Sequence, residues 1–200
     1  MTAPQPRARR NWAWPWTRSS ASIGHFMQID VTDAAASQWR DDKIQELGVV
    51  NVTAALVAGV VSSAFSWPTI ESAPWTAKAV FYSTLLLAIS AIATGSQQSI
   101  ALNRYGRQPD GLKELQDSIK GTQRGDARPS QLYVWQLPIM LLNISLALFV
   151  VGLVILIWAK AARSPRWDDD MKIAFVVTIA GLFCVFNYAI GASMLYRKRA

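Results

Sequence analysis

The sequence has little charge, one cysteine and one histidine, and each shortage excludes a class of protein or site. Charged residues form 16% of the 200 residues, whereas soluble domains average about a quarter. Cys184 has no partner for a disulfide within the chain. Because His25 is the only histidine, a metal site built from several histidines is excluded. Since phosphate-loop, serine-nucleophile and spaced-carboxylate motifs are missing as well, we expect no enzymatic activity, cofactor or metal.

The charge is missing chiefly from four long segments. Residues 47–70, 79–103, 129–159 and 173–196 contain no Asp, Glu, Lys or Arg. The shortest of these segments have 24 residues, and a helix of that length covers roughly 36 Å, more than the hydrocarbon core of about 30 Å. A soluble chain of this size could not cover four such helices. The sequence therefore predicts an all-α fold, a four-helix transmembrane bundle with spans at about 47–67, 78–102, 136–158 and 173–196.

Lys and Arg are distributed unequally between the two sides that these spans define. Fifteen of the 20 basic residues lie in the N-terminal segment, the loop between spans two and three, and the C-terminus. The other side has five: Lys78, Lys160, Arg163, Arg166 and Lys172. The positive-inside rule then places both termini in the cytoplasm. An endomembrane or the plasma membrane is favoured, and the mitochondrial inner membrane, with the termini in the matrix, is the alternative.

Aromatic and proline residues mark the predicted ends of the spans. Four tryptophans lie at these ends and are interpreted as interfacial anchors: Trp67, Trp75, Trp135 and Trp158. Pro68 and Pro74 bracket a short turn, which predicts a tight hairpin of spans one and two. Pro138 is predicted near the first helical turn of span three, where its missing N–H costs little.

The chain outside the spans divides into three parts. Residues 1–31 are predicted to be a disordered, basic, Trp-rich tail that contacts anionic headgroups; a mitochondrial presequence and a plain solvated tail are the alternatives. Residues 32–200 form the membrane domain, in which the segment 32–46 is predicted to run as a helix into span one. In the cytoplasmic loop 103–135, the stripe Leu112, Leu115 and Ile119 predicts a short amphipathic helix on the membrane surface, or alternatively a docking face.

The charge-free segments contain amide side chains in what is predicted to be the cytoplasmic half of the bilayer. These residues are Asn51, Gln97, Gln98, Asn143 and Asn187. Ionisable groups at membrane depth usually mark ion or proton paths, and their absence argues against a proton-coupled transporter, a pump or a voltage sensor. The amides are interpreted as interhelical hydrogen-bonding groups, and a polar pocket or narrow hydrated path is the alternative.

Small residues recur at intervals of four in the first two spans. Ala55, Gly59 and Ser63 lie in span one, and Ala91 and Gly95 lie in span two. Such stripes allow helix backbones to approach closely. We therefore expect spans one and two to pack along them.

Several strings resemble a known group of proteins. Residues 42–47 (DKIQEL) lead into a small-residue span that ends in FSW at 65–67, Gln97 and Gln98 end span two, and residues 135–142 (WQLPIMLL) open span three. This arrangement resembles uncharacterised multi-span membrane proteins of filamentous fungi over roughly residues 40–160. The resemblance implies a fungal-type membrane protein and supplies no activity or functional residue.

Two functional classes remain open at the level of sequence. The first is a non-catalytic membrane protein that acts as a scaffold or accessory subunit of a membrane complex. The second is a small oligomeric channel or transporter with the amide layer lining a path. The expected partners are the lipid bilayer together with a membrane-protein partner or further copies of the chain. Nucleic acid is not expected, because the net charge of +7 is explained by membrane topology.

Overall fold

The computed structural model describes residues 33–108, 111, 114, 129–163 and 167–196. The predicted tail at 1–31 lies outside the described residues. The predicted amphipathic helix of the central loop also lies outside them, apart from Gly111 and Glu114, which are helical.

Apart from the helical residues Gly111 and Glu114, five helices account for the regular structure of the described residues. They are α1 (Asp33–Ala64), α2 (Pro68–Glu71), α3 (Trp75–Tyr105), α4 (Pro129–Ala161) and α5 (Asp169–Tyr196). All except α2 are long and apolar enough to cross a membrane. The shortest of the four, α5, has 28 residues, or roughly 42 Å of helix. The predicted all-α four-helix bundle is confirmed, and the chain is a polytopic integral membrane protein.

Three of the long helices, α1, α3 and α4, extend beyond the predicted spans at the end of the bundle where α1 begins and α5 ends, which we call the terminal end. α1 runs without a break from Asp33 through its charged segment. α4 begins at Pro129, before the span predicted from 136, so Pro138 lies inside the helix and not in its first turn. The predicted position of Pro138 in the first helical turn was wrong, because hydropathy indicates only the residues inside the hydrocarbon core. The helix itself continues into water as long as its backbone hydrogen bonds are made.

The central helix of the bundle is α3, which packs against both α1 and α4. One apolar cluster lies toward the opposite end, which we call the α2 end, and includes Val61, Ile70, Phe81 and Leu156. A second cluster lies toward the terminal end and consists of Val50, Ala54, Ala91 and Leu142. The close approach of α4 to α3 depends on Gly152, where an added Cβ would lie 3.2 Å from Val80.

The connection between α1 and α3 is the predicted hairpin turn, and it contains the short helix α2. Pro68 is the first residue of α2, where its missing N–H removes no helical hydrogen bond. Pro74 precedes α3 in an extended conformation. The Lys78 ammonium donates a 3.1 Å hydrogen bond to the Glu71 carbonyl, so α2 is fastened to the first turn of α3.

The predicted packing of α1 along its small residues was wrong. Ala55, Gly59 and Ser63 are exposed, and a Cβ added at Gly59 would have nothing within 4 Å. α1 instead buries a neighbouring stripe that contains Val50, Ala54, Val57, Val61 and Ala64. Apolar side chains are equally stable against lipid and against protein, so composition alone does not reveal which face of a membrane helix is internal.

Helix α5 lies at the edge of the bundle and contacts chiefly α4. In its most apolar 18-residue segment, 6% is buried within the protein, compared with 33%, 28% and 22% in the corresponding segments of α1, α3 and α4. Ala174, which is fully buried, and Thr178, which is half-buried, lie on its inner face. The remaining surface of α5 is open to lipid or to another protein.

Candidate functional site

The five amides do not form one layer. The structure places Asn51 and Gln98 inside the bundle between α1, α3 and α4, and Asn143 where α4 meets α5. Gln97 and Asn187 are exposed on the outer surface. The amides therefore divide into an internal group and a surface group.

Gln98 bonds to a backbone carbonyl that a proline leaves free. In an α-helix the N–H of residue 138 would donate to the carbonyl of residue 134, but Pro138 has no N–H. The Gln98 side-chain amide donates a 2.7 Å hydrogen bond to the Val134 carbonyl in its place. Pro138 is fully buried, and Gln98 is 9% exposed. The Gln98 side chain of α3 thus supplies the hydrogen-bond donor that α4 lacks at Pro138.

Asn51 lies against the backbone of α3 at Gly95. A Cβ at position 95 would collide with the Asn51 side-chain oxygen, so only glycine admits the amide there. The Asn51 amide nitrogen lies 3.4 Å from the Ser96 hydroxyl oxygen. Ala91 and Gly95 are both buried, and at this level α3 offers α1 a small-residue surface that receives Asn51.

Each of the two internal amides has an acceptor without a partner. Among the buried side-chain atoms of the described residues, the Asn51 Oδ1 and the Gln98 Oε1 have no hydrogen-bond partner. Leaving a buried acceptor unsatisfied costs about 1–3 kcal/mol. Gly95, which contacts Asn51, precedes Gln98 by about one helical turn. These acceptors therefore mark a short polar region inside the bundle.

The amide of α4 bonds to its own helix and to α5, whereas the amide of α5 bonds to its own helix. The Asn143 amide donates to the Ile139 carbonyl at 2.9 Å, and its oxygen accepts a 3.3 Å hydrogen bond from the Tyr188 hydroxyl. The Asn187 amide donates to the Phe183 carbonyl of its own helix at 2.8 Å. Asn187 thus makes one of its possible hydrogen bonds within α5, and its other polar atoms lie on the surface of the bundle.

A stripe of small residues runs beside Asn187 on the same face of α5. Ala180, Cys184, Asn187 and Gly191 follow the spacing i, i+4, i+7 and i+11, which places them on one helix face. The first three are exposed, and a Cβ added at Gly191 would have nothing within 4 Å. This face differs from the one that contacts α4. Sequence reasoning missed the stripe, although its period was readable.

The terminal end of the bundle contains a polar and aromatic cluster that the sequence predictions also missed. Lys43 is 2% exposed and forms a 2.8 Å ion pair with Glu46. Trp135 is 6% exposed and packs edge-on against Trp39, with ring centroids 6.4 Å apart. The prediction of Trp135 as an exposed interfacial anchor was wrong, because Trp39 near the start of α1 packs against it.

The other three predicted anchors are surface residues at the α2 end. Trp67, Trp75 and Trp158 are 38%, 78% and 41% exposed. The Trp158 indole N–H donates a 2.9 Å hydrogen bond to the Thr178 hydroxyl and so connects α4 with α5. Their role as interfacial anchors stays a prediction.

The site residues offer hydrogen bonding and close packing. Within the described part of the chain, no group of three His, Cys, Asp or Glu side chains is arranged to hold a metal ion. Amides, hydroxyls and one tyrosine can bind a polar group or a helix. No protein-family model, curated protein or solved structure matches the chain.

Proposed function

We propose that this membrane protein is a non-catalytic scaffold or accessory subunit that binds a transmembrane helix of another protein through α5. The observation that carries the proposal is the exposed face of α5 with Ala180, Cys184, Asn187 and Gly191. It combines small residues with an amide whose only hydrogen bond within the described residues goes to its own helix. Small residues and polar side chains together are the usual composition of helix–helix contacts in membranes.

Asn187 lies deep enough for lipid to be a poor neighbour. It precedes the end of α5 by nine residues, or about 13 Å of helix. A polar side chain at that depth gains by finding a hydrogen-bond partner, because the hydrocarbon offers none. The occupant that fits is a second helix that presents a polar side chain to Asn187 and a flat face to Ala180 and Gly191.

The peripheral position of α5 supports the same proposal. Lipid alone would cover the apolar side chains of α5, such as Leu182 and Phe186, at no cost. It would not cover Asn187 equally well. The stripe is therefore a part of the surface for which a protein neighbour is better than lipid.

The proposal includes an orientation in which both termini and the central loop face the cytoplasm. Fifteen basic residues lie on that side and five on the other, and the positive-inside rule follows such a bias. We place the protein in an endomembrane or the plasma membrane.

A photo-crosslinking experiment in cells tests the binding face. A photoreactive phenylalanine analogue replaces Phe183 on α5 in one variant and Leu86 on α3 in the other; both side chains are 67% exposed. We expect one discrete crosslinked protein from position 183 and only diffuse lipid adducts from position 86. Equal crosslinking at both positions, or none at 183, would contradict the proposal.

A homo-oligomeric channel or transporter is the second candidate. The observation that favours it is the pair of buried acceptors without partners, Asn51 Oδ1 and Gln98 Oε1, which water or a permeating donor could bind. If the chain is a channel, the purified protein conducts ions in planar bilayers, and Asn51→Leu lowers that conductance. A chain that conducts nothing and crosslinks to a different protein rejects the channel in favour of the accessory subunit.

A further inference from the structure

The α2 end of the bundle contains a cleft with a polar part and an apolar part. The polar part is a cavity of about 380 Å³ between α2, α4 and the start of α5, lined among others by Lys160, Arg163 and Asp170. The apolar part is a cavity of about 320 Å³ lined among others by Leu153 and Ile157. The two cavities share Thr69, Leu156, Lys160 and Asp170, so they form one continuous cleft.

The polar part holds two cations and one carboxylate. Lys160 forms a 2.8 Å ion pair with Asp170, and the Arg163 guanidinium donates to the Ser72 carbonyl. Lys160, Arg163 and Asp170 are the only ionisable residues of the lining, which leaves one net positive charge. A single negative charge, such as that of a phosphodiester, is the complement. Arg and Lys are also the side chains that most often bind phosphate.

The apolar part continues from these cations along the helices toward the middle of the bundle. It is lined by Leu153, Leu156 and Ile157 of α4 and by Ile173 of α5. Trp67 also lines it, and Trp158 lies nearby on α4. Tryptophans of this kind lie at headgroup level, so the polar part of the cleft lies where phosphates are and the apolar part where acyl chains are.

From this arrangement we infer that the cleft binds one glycerophospholipid. Its phosphodiester lies between Lys160 and Arg163, and one acyl chain lies along Leu153, Leu156 and Ile157. The bound lipid contacts α2, α4 and the start of α5 together. This inference is independent of the proposed binding face of α5, which lies toward the opposite end.

The test is native mass spectrometry of the full-length protein in mild detergent with defined lipids added back. The probes are dioleoyl phosphatidylglycerol, dioleoyl phosphatidylcholine and inorganic phosphate. We expect one phospholipid per chain, and roughly tenfold weaker retention in the double variant Lys160→Gln/Arg163→Gln, as loss of charge-assisted hydrogen bonds at a partly exposed site implies. Lys172→Gln is the matched control, because Lys172 lies at the same end and pairs with Asp169 outside the cleft.

A second pair of variants tests the apolar part separately. Ile157→Trp fills the cleft, whereas Val151→Trp places the same side chain at an exposed position of α4 outside it. We expect lipid loss only in Ile157→Trp. Equal retention by every variant, or no retained phospholipid in the unaltered protein, would overturn the inference. Inorganic phosphate that binds and is unaffected by Ile157→Trp would also overturn it, by making the site one for free phosphate.

Discussion

The side-chain amide of Gln98 donates a 2.7 Å hydrogen bond to the Val134 carbonyl. In a regular helix this carbonyl would accept a hydrogen bond from the backbone N–H of residue 138, which Pro138 lacks. This part-buried bond joins the central helix α3 to α4. The residues are 36 positions apart in sequence. Proline inside a membrane helix is tolerated when a neighbouring helix supplies the missing donor, and here the donor is identified.

The first prediction concerns the dependence of Gln98 on Pro138. Gln98→Leu removes the donor and leaves the Val134 carbonyl unpaired, so we expect the free energy of unfolding to fall by about 1–2 kcal/mol. In a Pro138→Ala background the alanine N–H bonds to Val134 itself, and the cost of Gln98→Leu should largely disappear. Reversible unfolding in mixed micelles measures all four proteins of this cycle. An equal cost in both backgrounds would show that Gln98 does not serve the carbonyl.

The second prediction concerns two glycines that sequence alone does not distinguish. Gly95→Ala would push a Cβ into Asn51, and we expect a loss of about 1–3 kcal/mol of unfolding free energy, as for other overpacked sites. Asn51→Ala should relieve most of that loss. Gly59→Leu places its side chain in open space and should leave the stability of the chain unchanged. If Gly59→Leu unfolds the chain, the assignment of the buried face of α1 is wrong.

The third prediction separates two tryptophans that look alike in the sequence. Trp135 is 6% exposed and contacts Trp39, whereas Trp75 is 78% exposed. We expect Trp135→Ala to lower the free energy of unfolding by about 3–5 kcal/mol, the range for buried aromatic residues. Trp75→Ala should change it by less than about 0.5 kcal/mol. Similar losses in the two variants would contradict the burial of Trp135.

The number of helices was predictable from sequence because charge is excluded from the hydrocarbon core, and the four charge-free segments report that exclusion directly. The packing faces were not predictable. Leu, Val and Ala suit lipid and protein interior alike, so nothing in the sequence distinguishes Gly59, which is exposed, from Gly95, which is buried. The role of Gln98 depends on Val134 and Pro138 in another helix, and that register comes only from the fold.

The fourth prediction concerns the orientation in the membrane. In a Cys184→Ser background, single cysteines replace Ser66 near α2 and Gln108 after α3, both exposed and at opposite ends of the bundle. A membrane-impermeant maleimide should label Gln108→Cys once the plasma membrane is opened with the internal membranes intact. Ser66→Cys should be labelled either from outside the intact cell or only after full detergent lysis. The reverse pattern would show that the termini face away from the cytoplasm.

The central claim, that α5 binds a transmembrane partner through the face around Asn187, is tested most directly by gentle detergent extraction of the tagged native protein. The mass and composition of the complex are compared for the unaltered chain, Asn187→Leu and Gln97→Leu, the last removing another exposed amide. We predict a fixed stoichiometric partner that is weakened roughly threefold to twentyfold by Asn187→Leu, the range for one interhelical hydrogen bond. Gln97→Leu should leave it unchanged. A bare monomer throughout, or a complex equally stable in Asn187→Leu, would contradict the claim, and a complex of identical chains would favour the channel.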